Sequence, residues 1–235
     1  IDIDYFRQAT LDLVAINGLT LFGNPNKKSW QKFVRAYIRP SIHPSSMEGL
    51  GISLPKHCPI DFTMIAWTWP DYLNPEIYLE GGTAAITGEQ RLFPILGKHA
   101  SNYGNAVQDS IVARSLYADE LIYLAPYLID KTGNVFWEDP QNIDLKLKYG
   151  AISDGPGEEC IAISVDQKSL IYPPMRVNRL GGTVLDYIVH YIAPKIGLEP
   201  VEKDITLCDL RKGKYSCVGM VGNASNFSLD NAADF

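Results

Sequence analysis

The sequence predicts an α+β fold built from two domains. Three observations lead to this prediction: an amphipathic helical pattern at the N-terminus precedes two strands, a stretch rich in Pro, Asp and Asn interrupts both periodicities at residues 70–75, and further strands and helices follow it. We place a small α/β domain at residues 1–74 and a larger domain at residues 75–235. With 235 residues, the chain is long enough to bury its core without disulfides.

In the small domain, the apolar residues of segment 4–16 recur at spacings that suit an amphipathic helix, and Asn17-Gly18 provides a stop signal. A short helix is expected at residues 29–35. β-Branched and aromatic residues then predict two strands, at residues 36–42 and 59–69. A helix followed by paired strands indicates an α+β unit.

The first half of the larger domain begins with a strand-like segment at residues 76–86. A helix is predicted at residues 102–118, and the apolar segment 121–129 is predicted to be one strand. Residues 130–149 are charged and irregular, which indicates an insertion or a mobile loop.

The second half of this domain contains short apolar segments that predict strands at residues 160–165, 169–172 and 215–221. Gly181-Gly182 opens a helix that is expected to run from Thr183 to about Ile196. A short helix is expected to begin at Asp209.

Composition excludes several classes of function. The net charge is −6 and the pI is about 5.2, with no run of basic residues, so neither nucleic acid nor an anionic membrane is an expected partner. No apolar stretch is long enough to span a bilayer, and the N-terminus does not have the pattern of a signal peptide, so we expect a cytoplasmic protein. The four cysteines form no CxxC pair, and no metal site is expected.

Three glycine-bearing turns are the first candidates for a site: residues 154–158, 180–183 and 221–224. The second turn opens a helix directly, so its amides, the helix dipole and the Thr183 hydroxyl can hold a phosphate. Taken alone, each turn is most often an ordinary connection, and none has a P-loop or dinucleotide fingerprint. Lys98 lies in a loop before a helix, where it is either a surface charge or a cofactor-binding amine.

Taken in order, these segments resemble the branched-chain amino acid aminotransferases, which belong to the fold type IV pyridoxal-phosphate enzymes. The resemblance covers nearly the whole chain and rests on several short motifs together rather than on one of them. The motifs are Ala36-Tyr37-Ile38-Arg39-Pro40, Ala66 to Leu73, Lys98 with Asn102-Tyr103, Ile152 to Glu158, Leu170 to Pro174, Gly181-Gly182-Thr183, Ile196-Gly197-Leu198, Asp204 to Leu207 and Val221-Gly222-Asn223-Ala224.

The resemblance implies a two-domain fold type IV aminotransferase-like architecture, also called D-amino acid aminotransferase-like, and pyridoxal 5'-phosphate as cofactor. Lys98 is then the lysine that binds the cofactor covalently and later carries the substrate proton, and Tyr103 contacts the phenolate oxygen. Asp154 is the carboxylate that pairs with the pyridine nitrogen, where the family has Glu. The other cofactor-binding residues implied are Gly157, Glu158, Gly181, Gly182, Thr183, Gly222 and Asn223.

The implied reaction is the transfer of an amino group from Leu, Ile or Val to 2-oxoglutarate. Arg39, beside Tyr37, is expected to bind the distal carboxylate of glutamate or 2-oxoglutarate. The apolar part of the substrate pocket is expected to be formed by Trp69 and Tyr72, with Ala224 as a further substrate contact. Without the resemblance, strand core packing explains these aromatic residues about equally well. Family members are homodimers or higher homo-oligomers, so the same is expected here.

Departures from the family pattern leave alternatives open. Asp154 replaces Glu, Glu159 replaces Asn, and Asn223 replaces Thr in the second phosphate turn. The first residue is Ile1, the N-terminal portion of the family is not in the sequence, and the usual final helices do not follow Asn226, so we expect the sequence to be incomplete at both ends, which leaves an organelle as an alternative location. The alternative functions are D-amino acid aminotransferase, aminodeoxychorismate lyase, and a catalytically silent homologue that binds pyridoxal phosphate or only partner protein.

Overall fold

The structure is a computed structural model of the chain, and it describes residues 2–22, 35–44, 59–69, 73–74, 76–87, 100–137, 142–177, 179–222 and 226–229. The chain divides into two compact units, Ile1–Tyr72 and Leu73–Phe235. The helix expected at residues 29–35 lies outside the described residues except for Arg35, which begins a strand.

The described residues of the first unit form helix α1 (Ile3–Phe22) and strands β1 (Arg35–Pro44) and β2 (Ile60–Trp69). The predicted helix is present, but the stop expected at Asn17-Gly18 is wrong, because the helix continues to Phe22. The Asn17 side chain donates a hydrogen bond to the Leu13 carbonyl at 2.9 Å, one helical turn back, and so contributes to the helix instead of ending it.

Both strands predicted in this unit are confirmed, and they form an antiparallel pair in which Tyr37 lies opposite Trp67. Helix α1 packs on the strands: the Phe6 and Phe62 ring centroids are 5.8 Å apart. The same face of β2 contributes Met64, whose sulfur lies 3.5 Å from Thr10 Oγ1. Because side chains alternate across a strand, Tyr37 and Trp67 project from one shared face of the pair.

In the part that the structure describes, the second unit contains three sheets and several helices. Its first half consists of α2 (Ile77–Glu80), β3 (Ala84–Ile86), α3 (Ala100–Ser115), β4 (Glu120–Ile122), β5 (Leu124–Ile129), β6 (Val135–Phe136), α4 (Ile143–Tyr149) and β7 (Gly150–Ile152). Its second half begins with β8 (Glu159–Ser164), β9 (Ser169–Tyr172) and a 3₁₀ turn (Met175–Val177). A continuous helical segment follows, made of α5 (Thr183–Tyr187), a π-helical turn (Ile188–Ile192) and α6 (Ala193–Lys195). The remaining elements are β10 (Glu199–Glu202), α7 (Leu207–Arg211), β11 (Tyr215–Val221) and β12 (Asn226–Ser228).

The sheets of this unit have strand orders β10-β9-β8-β11-β12, β6-β5-β7 and β3-β4. Buried residues from all three sheets meet in one core cluster, which includes Ile122 of β4, Ile152 of β7 and Met220 of β11. The predicted strands 160–165, 169–172 and 215–221 are therefore present and pair within the five-stranded sheet.

Two predictions in this unit are wrong for local reasons. Segment 76–86 begins as the short helix α2, because the turn at Asn74 directs the Ile77 amide to the Asn74 carbonyl, and only its end is a strand. The apolar segment 121–129 is not one strand, because it breaks at Tyr123. The Tyr123 backbone bonds to Asp154 and Ser153 instead, so β4 joins β3 while β5 joins a different sheet.

Residues 130–149 are not an irregular insertion in the parts that the structure describes. Residues 130–134 form a hairpin turn between β5 and β6, in which the Asp130 carboxylate accepts from the Thr132 hydroxyl and from the Thr132 and Asn134 amides. These bonds, led by that of the Thr132 hydroxyl, lower the pKa of Asp130 to about 2. Helix α4 then begins at an Asn142 cap, whose side chain accepts from the Leu145 amide.

Candidate functional site

The first and second glycine turns of the sequence come together in the second unit at Asp154. Its side chain is 1% exposed, and Oδ2 accepts a hydrogen bond from the Leu180 amide at 3.0 Å. The Ser153 hydroxyl donates to Oδ1 at 3.3 Å. Asp154 thereby links the turn that follows β7 to the segment that precedes helix α5.

The third turn packs against the first at Gly222. A β-carbon built on Gly222 would lie 2.7 Å from the Gly157 carbonyl oxygen and 3.1 Å from Glu158 Cα. Any side chain larger than hydrogen would collide with the backbone of the first turn, so only glycine permits this approach. All three turns that sequence analysis selected therefore meet in one place.

Buried acidic side chains are concentrated here. Glu158 is 1% exposed and Glu159 is 7% exposed, in addition to Asp154. Burial, with a contribution from the Asp154 charge, raises the pKa of the Cys160 thiol to about 12. Cys160 is therefore a neutral thiol packed beside the carboxylates and not a nucleophile at physiological pH.

The segment 173–180 connects the five-stranded sheet to helix α5 and carries the Leu180 amide. Within it, Arg179 is buried, and its guanidinium donates to the Pro173 carbonyl at 2.7 Å and to the Leu180 carbonyl at 3.1 Å. The Arg179 side chain therefore braces both ends of the segment and holds the Leu180 amide in place to reach Asp154.

A second set of contacts holds the same segment at the 3₁₀ turn Met175–Val177. Arg176 donates to the Tyr127 hydroxyl at 3.2 Å and forms an ion pair with Asp204, while Tyr127 donates to Asp204 Oδ1 at 2.8 Å. Burial and the bond to Asp204 raise the pKa of Tyr127 well above its usual value, so the phenol remains a neutral donor. This triad ties the 3₁₀ turn to β5 and to the segment before α7.

Replacing Asp204 with alanine is expected to lower the free energy of unfolding by about 1–3 kcal/mol, because the buried Tyr127 hydroxyl loses its acceptor. Urea titration of the variant measures the change. The control is Glu202→Ala at an exposed position of β10, which is expected to change stability by less than about 0.5 kcal/mol. Equal stability of the two variants would show that the triad is not a structural contact.

An aromatic cluster with one cation forms in the first unit, on the β1–β2 pair. Tyr37 packs against two tryptophans, with ring centroids 4.7 Å from Trp67 and 4.6 Å from Trp69. Arg39 is exposed, donates to the Tyr37 hydroxyl at 3.1 Å, and places Cζ 5.2 Å from the Tyr37 ring and 5.8 Å from the Trp67 ring. Strand pairing and side-chain alternation therefore bring together the three predicted residues Tyr37, Arg39 and Trp69.

Trp67 was missed by sequence analysis although a signal was present. It lies two residues before Trp69, so the period of two in a strand places both on one face. The Leu180 amide was also missed, and because any residue except proline supplies such a donor, the sequence contains no signal for it.

Several predicted site residues lie outside the described part of the chain. These are Lys98, Tyr72, Asn223 and Ala224, together with the side chain of Tyr103. The backbone of Tyr103 is part of helix α3. The structure describes Gly157, Gly181, Gly182 and Thr183. The last three lie at the start of the helical segment that begins with α5.

The described residues contain neither a candidate membrane span nor a candidate metal site. No helix among them is both long and apolar enough to cross a membrane. In the same part of the chain, no group of three or more His, Cys, Asp and Glu side chains has the arrangement of a metal site.

Comparison with solved structures found many matches. The branched-chain amino acid aminotransferase of Escherichia coli superposes with a TM-score of 0.70 at 24% identity, and the match covers 97% of this chain and 63% of that one. The branched-chain aminotransferase of Thermoproteus uzoniensis with norvaline gives a TM-score of 0.70 at 21% identity, with coverage of 97% and 63%. The Thermobaculum terrenum enzyme in its PLP form gives 0.65 at 16%, with coverage of 97% and 62%.

The chain has the fold of these aminotransferases. The predicted fold type IV aminotransferase-like architecture is thus confirmed. The chain spans less than two thirds of the length of the aminotransferases that it matches. No protein family model matches the sequence, and no curated protein matches it at the level of sequence. In this aminotransferase fold, the three glycine turns belong to the second unit, and the aromatic cluster with Arg39 belongs to the first.

Proposed function

We propose that this protein is a pyridoxal phosphate-dependent aminotransferase that transfers the amino group of Leu, Ile or Val to 2-oxoglutarate. The observation that carries the proposal is the contact of the first glycine turn with the other two, through the buried Asp154 carboxylate and through Gly157 and Glu158, in a chain with the fold of branched-chain aminotransferases. A buried carboxylate next to the first amides of a helix suits a ligand with a cationic ring nitrogen and an anionic phosphate.

The residues of the second unit fit pyridoxal phosphate in their chemistry. When bound, this cofactor supplies the electron sink that makes the substrate Cα–H bond acidic. Asp154 would hold the ring nitrogen in its protonated form, since the carboxylate is buried and fixed by the Leu180 amide. Gly181, Gly182 and Thr183 would bind the phosphate through backbone amides and a hydroxyl, with Gly222 and Asn223 from the third turn.

The remaining roles at the cofactor are assigned by the family resemblance. Lys98 would bind the cofactor covalently and then move the proton from the substrate Cα, which requires an uncharged amine at that stage. Tyr103 would donate a hydrogen bond to the phenolate oxygen of the cofactor. Gly157 and Glu158 complete the turn that follows Asp154, with Glu158 buried inside it.

The first unit contributes groups suited to two kinds of substrate side chain. The rings of Tyr37, Trp67 and Trp69 offer an apolar surface for a branched aliphatic side chain. The family resemblance separately assigns substrate contacts to Tyr72 and Ala224. Arg39 at the edge of these rings offers a cation to the distal carboxylate of 2-oxoglutarate. An apolar surface with a single cation serves both substrates of the reaction.

The test of this proposal is a half-reaction with one amino acid at a time. Purified protein with saturating pyridoxal phosphate is expected to show a visible absorption band that L-leucine and L-glutamate both bleach. D-alanine serves as the control and should leave the band unchanged. Protein that remains colourless at saturating cofactor would contradict the proposal and support a silent homologue, and bleaching by D-alanine alone would indicate a D-amino acid aminotransferase.

Replacing Arg39 with methionine is expected to raise KM for 2-oxoglutarate by about 10- to 100-fold, as the loss of a charged hydrogen bond of about 1.5–3 kcal/mol predicts. KM for L-leucine should change by less than about twofold, because the aliphatic substrate makes no ion pair. Steady-state kinetics with each substrate varied in turn measure both constants. The matched control is Arg114→Met at an exposed position of α3. An equal rise in both KM values would contradict the role of Arg39.

A further inference from the structure

The Glu159 carboxylate lies against Gly182 at the start of the helical segment 183–195. A β-carbon built on Gly182 would lie 2.1 Å from Glu159 Oε1, 2.4 Å from Cδ and 2.6 Å from Oε2. The whole carboxylate group therefore packs on the α-carbon of Gly182, one residue before the first residue of the helix.

The Glu159 side chain is directed to this place by the sheet that carries it. Glu159 is the first residue of β8, where it pairs with Val221 of β11 and forms an isolated bridge with Asp154. Successive side chains of a strand point to opposite faces, so Glu158 turns toward Gly222 while Glu159 turns toward Gly182. The residue is 7% exposed, which places its carboxyl group inside the protein.

We propose that Glu159 is an internal anion that competes with phosphate for the start of this helical segment, and that it sets the affinity of the site for phosphorylated ligands. The inference rests on the proposed function, because it takes the Gly181–Thr183 turn as the phosphate site. A carboxylate and a phosphate at the same helix start repel each other in a poorly solvated environment. Phosphate therefore binds only when the Glu159 side chain rotates away from Gly182.

This competition is selective for the phosphate group. Pyridoxal, which lacks the phosphate, places no negative charge beside Glu159 and is not opposed by it. The strand position of Glu159 is kept by backbone pairing, so a change confined to its carboxylate alters the charge while the pairing of β8 with β11 remains. Glutamine has nearly the same shape as glutamate and isolates the effect of charge.

The experiment compares Glu159→Gln with the wild-type chain in calorimetric titrations with inorganic phosphate, pyridoxal phosphate and pyridoxal. Glu159→Gln is expected to bind both phosphate ligands at least about tenfold more tightly, because one close repulsive charge is removed. The affinity for pyridoxal should change by less than about twofold. Glu202→Gln, at an exposed position of the same unit, is the matched control and should leave all three affinities unchanged.

A second variant, Glu159→Ala, keeps the inference testable if the glutamine variant does not fold, and it is expected to tighten phosphate binding in the same way. Unchanged or weaker binding of inorganic phosphate in the folded variant would overturn the inference, as would an equal gain for pyridoxal. Inorganic phosphate separates this result from the proposed function. Tighter phosphate binding by the variant, together with no transamination by the wild-type chain, would support the inference and contradict the proposed function.

Discussion

Replacing Lys98 with alanine is expected to abolish transamination, with a loss of about 10⁴-fold or more in kcat, because one amine serves as both nucleophile and proton carrier. The visible band of the cofactor-loaded protein should be lost in the same variant. The measurements are the absorption spectrum after removal of free pyridoxal phosphate and the rate of the half-reaction with L-leucine.

Two further variants show whether the amine itself is required. Lys98→Arg retains the positive charge but not an amine that can lose its proton and act as a nucleophile, and it is expected to be as inactive as Lys98→Ala. Lys195→Ala, at an exposed position near the end of the helical segment, should keep both the colour and the rate. A coloured Lys98→Ala protein that still turns over would assign the covalent role to another lysine.

Replacing Asp154 with asparagine is expected to lower kcat by about 10²–10³-fold, a size measured when one charge-stabilising group is removed from an active site. Asparagine has the same size and can still accept a hydrogen bond from the Leu180 amide, so the turns should remain in place. It has no negative charge with which to keep a ring nitrogen protonated. The rate of the half-reaction with L-leucine measures the loss, and thermal unfolding measures whether the fold is retained.

Asp144→Asn, at an exposed position of α4, is the control for a change of charge without a change at the site. It should keep the wild-type rate within about twofold. If Asp154→Asn also kept that rate while remaining folded, then Asp154 would be a structural residue that holds the Leu180 segment, and the ring nitrogen would need another partner.

The sequence predicted the strands around the site well because their signals are local. Segments 169–172 and 215–221 are short apolar runs that end at turn residues, and both are strands with those bounds. The three glycine turns were also recognised, and the family resemblance indicated that they belong together. Their contacts, such as Gly222 against Gly157, depend on residues distant in sequence and became visible only in the structure.

The errors come from hydrogen bonds to backbone groups, which are long-range in one segment and local in the other. Nothing local in segment 121–129 marks Tyr123 as a break, because the break results from backbone bonds to Ser153 and Asp154, about thirty residues later. The charged segment 130–149 resembles a loop in composition, yet Asp130 and Asn142 each organise it through side-chain bonds to backbone amides. In both places the deciding partner is a backbone group, which composition does not reveal.

The π-helical turn at Ile188–Ile192 has a consequence for the orientation of the helical segment. Three buried residues, Leu185, Val189 and Ala193, follow one another at intervals of four and pack in one cluster. In an ordinary α-helix this spacing drifts around the axis, whereas the wider turn keeps the three residues in line. This packing therefore fixes the orientation of the segment on the sheet. The backbone amides at its first residue then point in a fixed direction toward a bound anion.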